Sequence, residues 1–157
     1  MMGPADFMRR AIALSRENLQ TQDGGPFGAV VVKDGRVVGE GRNRVVATND
    51  PTAHAEIVAI RAATQALGTF DLSGCAIYAS CEPCPMCLGA ILWARIGRIY
   101  QASDRHDAKA IGFDDEFFYR ELALPPDRRN VTVERLLGDE AKAVFKDWVS
   151  DPGRVRY

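Results

Sequence analysis

The 157-residue chain has no long hydrophobic run, no excess of basic charge and only two histidines. Each shortage removes a class of function. No stretch approaches the roughly 18 apolar residues of a membrane-spanning helix. Near the start, the apolar run after Arg9-Arg10 is only Ala11-Ile12-Ala13-Leu14, and Glu17 follows closely. That is too short for a secretory signal core, so a cytoplasmic location is the expectation. Lysine and arginine number 20 against 21 acidic residues, a formal net charge of -1. This is no basic footprint for nucleic acid, and a small neutral substrate fits better. Repeats, low-complexity tracts and obvious linkers are also missing. The four cysteines are Cys75, Cys81, Cys84 and Cys87, and three of them crowd into one short stretch. That crowding suits metal or redox chemistry in a reducing compartment better than a disulfide framework.

What is present is an ordinary globular composition, 46% hydrophobic and 26% charged, at a length typical of one domain. Phe7, Met8, Ala11, Ile12, Leu14 and Leu19 recur at helical spacing after Pro4-Ala5, and Gly24-Gly25-Pro26 ends that helix. Ala29-Val30-Val31-Val32 reads as a buried strand, Asp34-Gly35 as a hairpin turn and Val37-Val38 as the return strand. Asp50-Pro51 reads as an N-cap with proline at the first helical position, opening a helix from about Thr52 to Leu67. Cys75–Ala79 is a further strand, Cys84–Ala94 a helix and Arg98–Gln101 a strand. Strand and helix alternation of this kind argues for an α/β layered sheet. Beyond Ala108 the pattern predicts short helices near Asp104–Ala110 and Asp114–Leu122, a strand near Val131–Leu136 and a last helix over Asp139–Val149.

The chemistry concentrates in two motifs, His54-Ala55-Glu56 and Pro83-Cys84-Pro85-Met86-Cys87. One imidazole and two thiolates suit a zinc ion whose fourth position stays open for water. The charges balance: two thiolates and a neutral imidazole neutralise the ion, and a water there has its pKa lowered to about 7. Cys84 and Cys87 are three apart and open a helix, where the dipole and free N–H groups favour thiolates. Glu56 is the spare carboxylate, placed to take and deliver a proton. His54 and Glu56 pose a difficulty, because residues two apart on a helix do not face each other. Both reach one ion only if it lies near the helix end and close to its axis.

Other readings of the cysteines stand beside this one. Cys81 could close a four-ligand structural zinc site, or it could line the site without ligating. Cys81-x-x-Cys84-x-x-Cys87 resembles the start of an iron–sulfur run, but position 91, where the next cysteine would fall, is Ile91. Cys75 reads as a small core residue of a strand. His106 is assigned no role.

The chain resembles the cytidine deaminase-like superfamily, and within it the bacterial guanine deaminases. The resemblance rests on Gly24-Gly25-Pro26-Phe27-Gly28-Ala29-Val30, on Asn49-Asp50-Pro51-Thr52-Ala53-His54-Ala55-Glu56, on Ser80 through Ile91, on Gly112-Phe113-Asp114-Asp115 and on the terminal Tyr157. It implies a three-layer α/β/α sandwich around a mixed five-stranded sheet. It implies His54, Cys84 and Cys87 as ligands of one zinc ion and Glu56 as proton shuttle. It further implies that Asn43, the Ala55 backbone and Asp115 contact the base, with Phe27 packing on its ring. A homodimer is implied in which C-terminal segments (about 138–157) are exchanged and Tyr157 closes the partner's pocket.

Hydrolysis of guanine to xanthine and ammonia is therefore expected. Asp115 is an acceptor matched to the two donors on guanine's N1 and amine edge. The same machinery would serve guanosine, cytosine, a triazine such as ammeline or a tRNA adenosine, although RNA binding would need a basic patch that Arg128-Arg129 and Arg154/Arg156 barely supply. A non-catalytic zinc-stabilised module is the remaining alternative.

Overall fold

A computed structural model describes residues 2–157. The chain forms two compact units, one ending at Tyr119 and one running Arg120–Tyr157.

The first unit follows the alternation of the sequence: α1 (Pro4–Thr21), β1 (Gly28–Lys33), β2 (Arg36–Arg42), a short α2 (Val45–Thr48), α3 (Ala55–Leu67), β3 (Ala76–Cys81), α4 (Pro85–Trp93), β4 (Arg98–Ser103), α5 (Arg105–Ala110) and the start of α6 (Asp115–Ala123). Among the described residues the sheet has four strands in the order β2-β1-β3-β4. It is mixed, because β1 is antiparallel to β2 and β3 while β3 and β4 are parallel. The parallel pair requires a crossover, and α4 provides it.

Alternation along β1 sorts the core into two layers. Ala29 and Val31 point with Ile77 toward Ala55, Ala59 and Ala63 of α3 and Ile91 of α4. Val30 and Val32 point with Tyr78 toward Phe7 and Leu14 of α1. The sheet thus carries helices on both faces, the expected α/β/α sandwich. Small residues set how closely α3 approaches. Ala55, Ala59 and Ala63 are one turn apart, and a Cβ on Gly41 would come within 2.2 Å of the Ala55 carbonyl oxygen. The β1–β2 turn has positive φ at both Asp34 and Gly35, as the hairpin signal required.

Two expectations are corrected. The helix that carries His54 begins at Ala55, not near Thr52. Asp50 does not cap it. Its Oδ1 instead accepts hydrogen bonds from Thr52 N–H at 2.8 Å and Thr52 Oγ at 2.6 Å, closing a local turn. The fifth strand is also missing: residues 131–136 form no strand. Val131 is 73% and Leu136 79% exposed, so apolar alternation found no neighbouring strand with which to build a ladder. The second unit otherwise holds the end of α6, a 3-10 turn (Pro126–Arg128) and α7 (Gly138–Ser150), and α7 has no buried residue.

Candidate active site

Two helix N-termini meet at the carboxyl end of β3, the usual place for a ligand in an open α/β sheet. His54 is the N-cap of α3, with φ -67° and ψ 156°. Cys84 is the N-cap of α4, with φ -66° and ψ 169° and Pro85 at the first helical position. This resolves the difficulty of the His-x-Glu spacing. His54 is extended and lies outside the helix, so Glu56 in the first turn of α3 is free to turn to the same point. Cys87 follows Cys84 by one turn of α4.

His54 Nδ1 lies 3.6 Å from Cys84 Sγ and 3.5 Å from Cys87 Sγ. One ligand atom from each of the three lies within 4.8 Å of the others. A tetrahedral zinc ion, with ordinary zinc–sulfur and zinc–nitrogen bonds, separates its nitrogen and sulfur ligands by about 3.5 Å. The donor set and its spacing therefore fit zinc. Cys81 takes a different part. It is buried and lines the cavity, and its Sγ donates to the Asp104 carbonyl at 3.5 Å.

The electrostatics follow from burial and crowding. Cys84 is drawn down to about 4 by its hydrogen bond from Cys87 and, next, by that from His54. Cys87 is pushed up by the adjacent Cys84 and by burial. One thiolate is thus tolerated, and a dication is what allows a second. Hydrogen bonding to Cys84 raises His54. Glu56 is 8% exposed, and burial raises its carboxyl. Cys87 Sγ donates to its Oε2 at 3.4 Å.

Above these groups lies a cavity of about 270 Å³, the small end of ligand-site volumes. Its lining includes Phe27, Asn43, His54, Glu56, Cys84 and Asp115. The structure therefore gathers most of the residues expected from sequence. Asp115 sits in the first turn of α6, its carboxyl raised mainly by burial. Asn43 is buried, and its Oδ1 accepts from Val45 N–H at 3.1 Å. Ala55 is buried as the first residue of α3, where a backbone N–H has no acceptor within the helix. Tyr157 belongs to the second unit and is 75% exposed.

Several contributors are given no role of their own by the sequence. Phe113 meets Phe27 edge to face, 4.9 Å between centroids at 88°. It reaches the cavity because Gly112, at φ 99°, ends α5: Gly112 N–H bonds the Lys109 carbonyl and Phe113 N–H the Ala108 carbonyl. That glycine was the available signal. Asn18, 3% exposed on α1, donates through Nδ2 to the Gly25 and Asn43 carbonyls, both at 2.8 Å. Nothing local marked it. Behind Cys84, Tyr119 Oη donates to the Pro83 carbonyl at 2.6 Å. Arg105 stacks 3.7 Å over the Tyr119 ring and pairs with Glu82 through Nε and Nη2.

Residues 2–103 match the family profile of the cytidine and deoxycytidylate deaminase zinc-binding region. A guanine deaminase of Bacillus subtilis is 44% identical over 99% of this chain and 100% of its own length. The X-ray structure of guanine deaminase from that organism superposes with a TM-score of 0.96 over 99% of both chains. A guanine deaminase structure from Nitrosomonas europaea aligns at 34% identity and a TM-score of 0.69, over 94% of this chain and 85% of that one. A tRNA-specific adenosine deaminase of Agrobacterium fabrum is 43% identical over 71% of this chain and 73% of that protein. Profile, relatives and the three-ligand zinc geometry agree that the chain belongs to the zinc-dependent cytidine and deoxycytidylate deaminase family.

Proposed function

We propose that this protein hydrolyses guanine to xanthine and ammonia. The observation that carries the reading is likeness to a guanine deaminase along the full chain, joined to a cavity whose one wall presents a carboxylate, Asp115, beside the His54/Cys84/Cys87 cluster. Zinc, when held by His54, Cys84 and Cys87, supplies a water acidic enough to react near neutral pH.

The protein's own groups do the rest. Asp115 accepts from N1–H and the amine of the base and so turns C2 toward the cluster. Asn43 has its Oδ1 occupied by Val45 N–H, and its Nδ2 supplies a donor to an acceptor on the ring. The Ala55 backbone completes the polar contacts, and Phe27, braced by Phe113, packs on the ring face. Glu56 takes one proton from the attacking water and passes it to the ring nitrogen next to C2, then takes the second proton from the new C2 hydroxyl and delivers it to the leaving amine, so that the C2–N bond breaks as the carbonyl forms. Burial of Glu56 supports this role, because it narrows the gap between its pKa and that of the groups it serves.

A base without the N1–H and amine pair would leave Asp115 buried and unsatisfied, which is the basis of selectivity. The working unit of this reading is a homodimer in which one 157-residue zinc-deaminase domain lends residues 138–157 to its partner, with Tyr157 closing the partner's pocket. Support comes from the second unit. Val144, Phe145 and Val149 of α7 are exposed, as is Val155 beyond it, an apolar surface of the kind that proteins bury between chains. Ammonia release from guanine, guanosine, cytosine, cytidine, adenine and ammeline, measured side by side, tests the reading. Guanine should lead, and release from another substrate but not from guanine would replace it.

A further inference from the structure

Glu82, Arg105 and Tyr119 form a half-buried cluster that the proposed chemistry does not use. Glu82 is held three times: its Oε2 accepts from Arg105 N–H at 2.9 Å, and its Oε1 accepts from Arg105 Nε at 3.0 Å and Nη2 at 2.6 Å. The guanidinium carbon of Arg105 sits over the Tyr119 ring, 3.7 Å from its centroid. The Tyr119 hydroxyl donates to the carbonyl of Pro83. Proline has no N–H, so that carbonyl is the only backbone polar group Pro83 offers, and the next residue is Cys84. Tyr119 also lies four residues after Asp115 on α6, which puts the two side chains on one face of the helix. One side chain therefore ties the turn that presents Cys84 to the helix that presents Asp115. An ion pair serving stability alone would need neither the stacked ring nor the hydroxyl contact.

We propose that Tyr119, backed by Arg105 and Glu82, is a positioning residue that fixes Asp115 relative to the Cys84 turn and so sets how tightly the cavity holds a base. The proposal rests on the reading of Asp115 as the acceptor for the base. Tyr119→Phe removes the hydroxyl while keeping the ring on which Arg105 stacks. The loss of one such hydrogen bond corresponds to a roughly three- to tenfold weakening.

The test is a double-mutant cycle of Tyr119→Phe with Asp115→Asn in the full-length, zinc-loaded protein. It reads zinc content, kcat and KM for guanine, and calorimetric affinity for hypoxanthine, which keeps N1–H but has no amine to lose. Tyr119→Phe should retain its zinc and raise both KM and the hypoxanthine Kd, with kcat less affected. The double variant should bind no more weakly than Asp115→Asn alone, because the two residues act through one contact. Arg105→Lys keeps the charge but loses the planar fork and the stack, and it should move the same quantities. It carries the cycle if Tyr119→Phe does not fold. Multiplying effects, an unchanged Tyr119→Phe or a loss of zinc in step with binding would overturn the proposal. A silent Asp115→Asn would overturn the base-contact reading together with it. A costly Asp115→Asn beside a silent Tyr119→Phe would overturn the tie alone.

Discussion

Glu56 is the residue on which chemistry and stability pull in opposite directions. It occupies the first turn of α3, almost sealed from solvent, with its carboxyl raised by burial above the ordinary 4.5. For an acid with a raised folded-state pKa, the cost of folding appears as pH climbs past the unfolded value and is absent below it. Glu56→Gln removes that cost and leaves His54, Cys84 and Cys87 untouched. The variant is expected to bind zinc as well as the parent and to lose activity by ~10²–10⁴, the usual worth of a positioned proton-transfer group. Its metal-free form should melt above the metal-free parent at pH 8, with the gap closing near pH 4. Metal analysis, turnover and thermal scans at the two pH values check this, and retained turnover would remove Glu56 from the mechanism. At this scale the sequence was informative where neighbours in space are neighbours in the chain, as for Cys84 and Cys87. It was silent where they are not. Asn18 and Asn43, or Tyr119 and Pro83, are far apart in sequence, and no local pattern announces that one steadies the other.

Among the elements, α3 and α4 bring their N-termini together, and the site exists because of that meeting. The position of α3 depends in turn on β2. Gly39 and Gly41 give the alanine stripe of α3 room to approach, and a Cβ at Gly41 would lie 2.2 Å from the Ala55 carbonyl oxygen and 2.5 Å from Ala59 N. Neither atom can rotate away, so the helix itself must move. Gly41→Ala is expected to cost about 1–3 kcal/mol by overpacking. Because the displaced end of α3 carries His54 and Glu56, turnover should also fall. Denaturant unfolding and activity on the same preparation check both, and a variant of full stability and activity would show that the close approach is not required. The layered sheet was legible in advance because buried strands and alternating helices are local signals. The start of α3 was not. Asp50-Pro51 carries the marks of a helix start, yet its side chain bonds Thr52 within a turn, and His54 becomes the cap. The strand expected at residues 131–136 failed for another reason. Alternation makes a segment suitable for a sheet, but a strand also needs a neighbour.

For the whole molecule, the second unit is where one chain leaves most undone. Val131, Val133, Leu136, Val144, Phe145 and Val149 are all exposed, and α7 buries nothing. The proposed exchange of residues 138–157 between two copies accounts for that surface. It predicts a homodimer by sedimentation and a loss of guanine turnover when the segment is deleted. Mixing gives the sharper outcome. Protein lacking residues 138–157 and the Glu56→Gln variant should each be inactive alone, yet regain activity after co-refolding, when an intact tail meets an intact core. A monomer of full activity, or failure of the mixture to recover, would contradict the exchange.

The central claim is that guanine hydrolysis depends on a metal held by His54, Cys84 and Cys87. Its most direct measurement is the joint release of xanthine and ammonia from guanine by the protein as purified, after metal removal and after return of zinc. The account predicts equal amounts of the two products, their loss when the metal is stripped and their recovery with one zinc ion per chain. Absence of both products from guanine with zinc bound would contradict it.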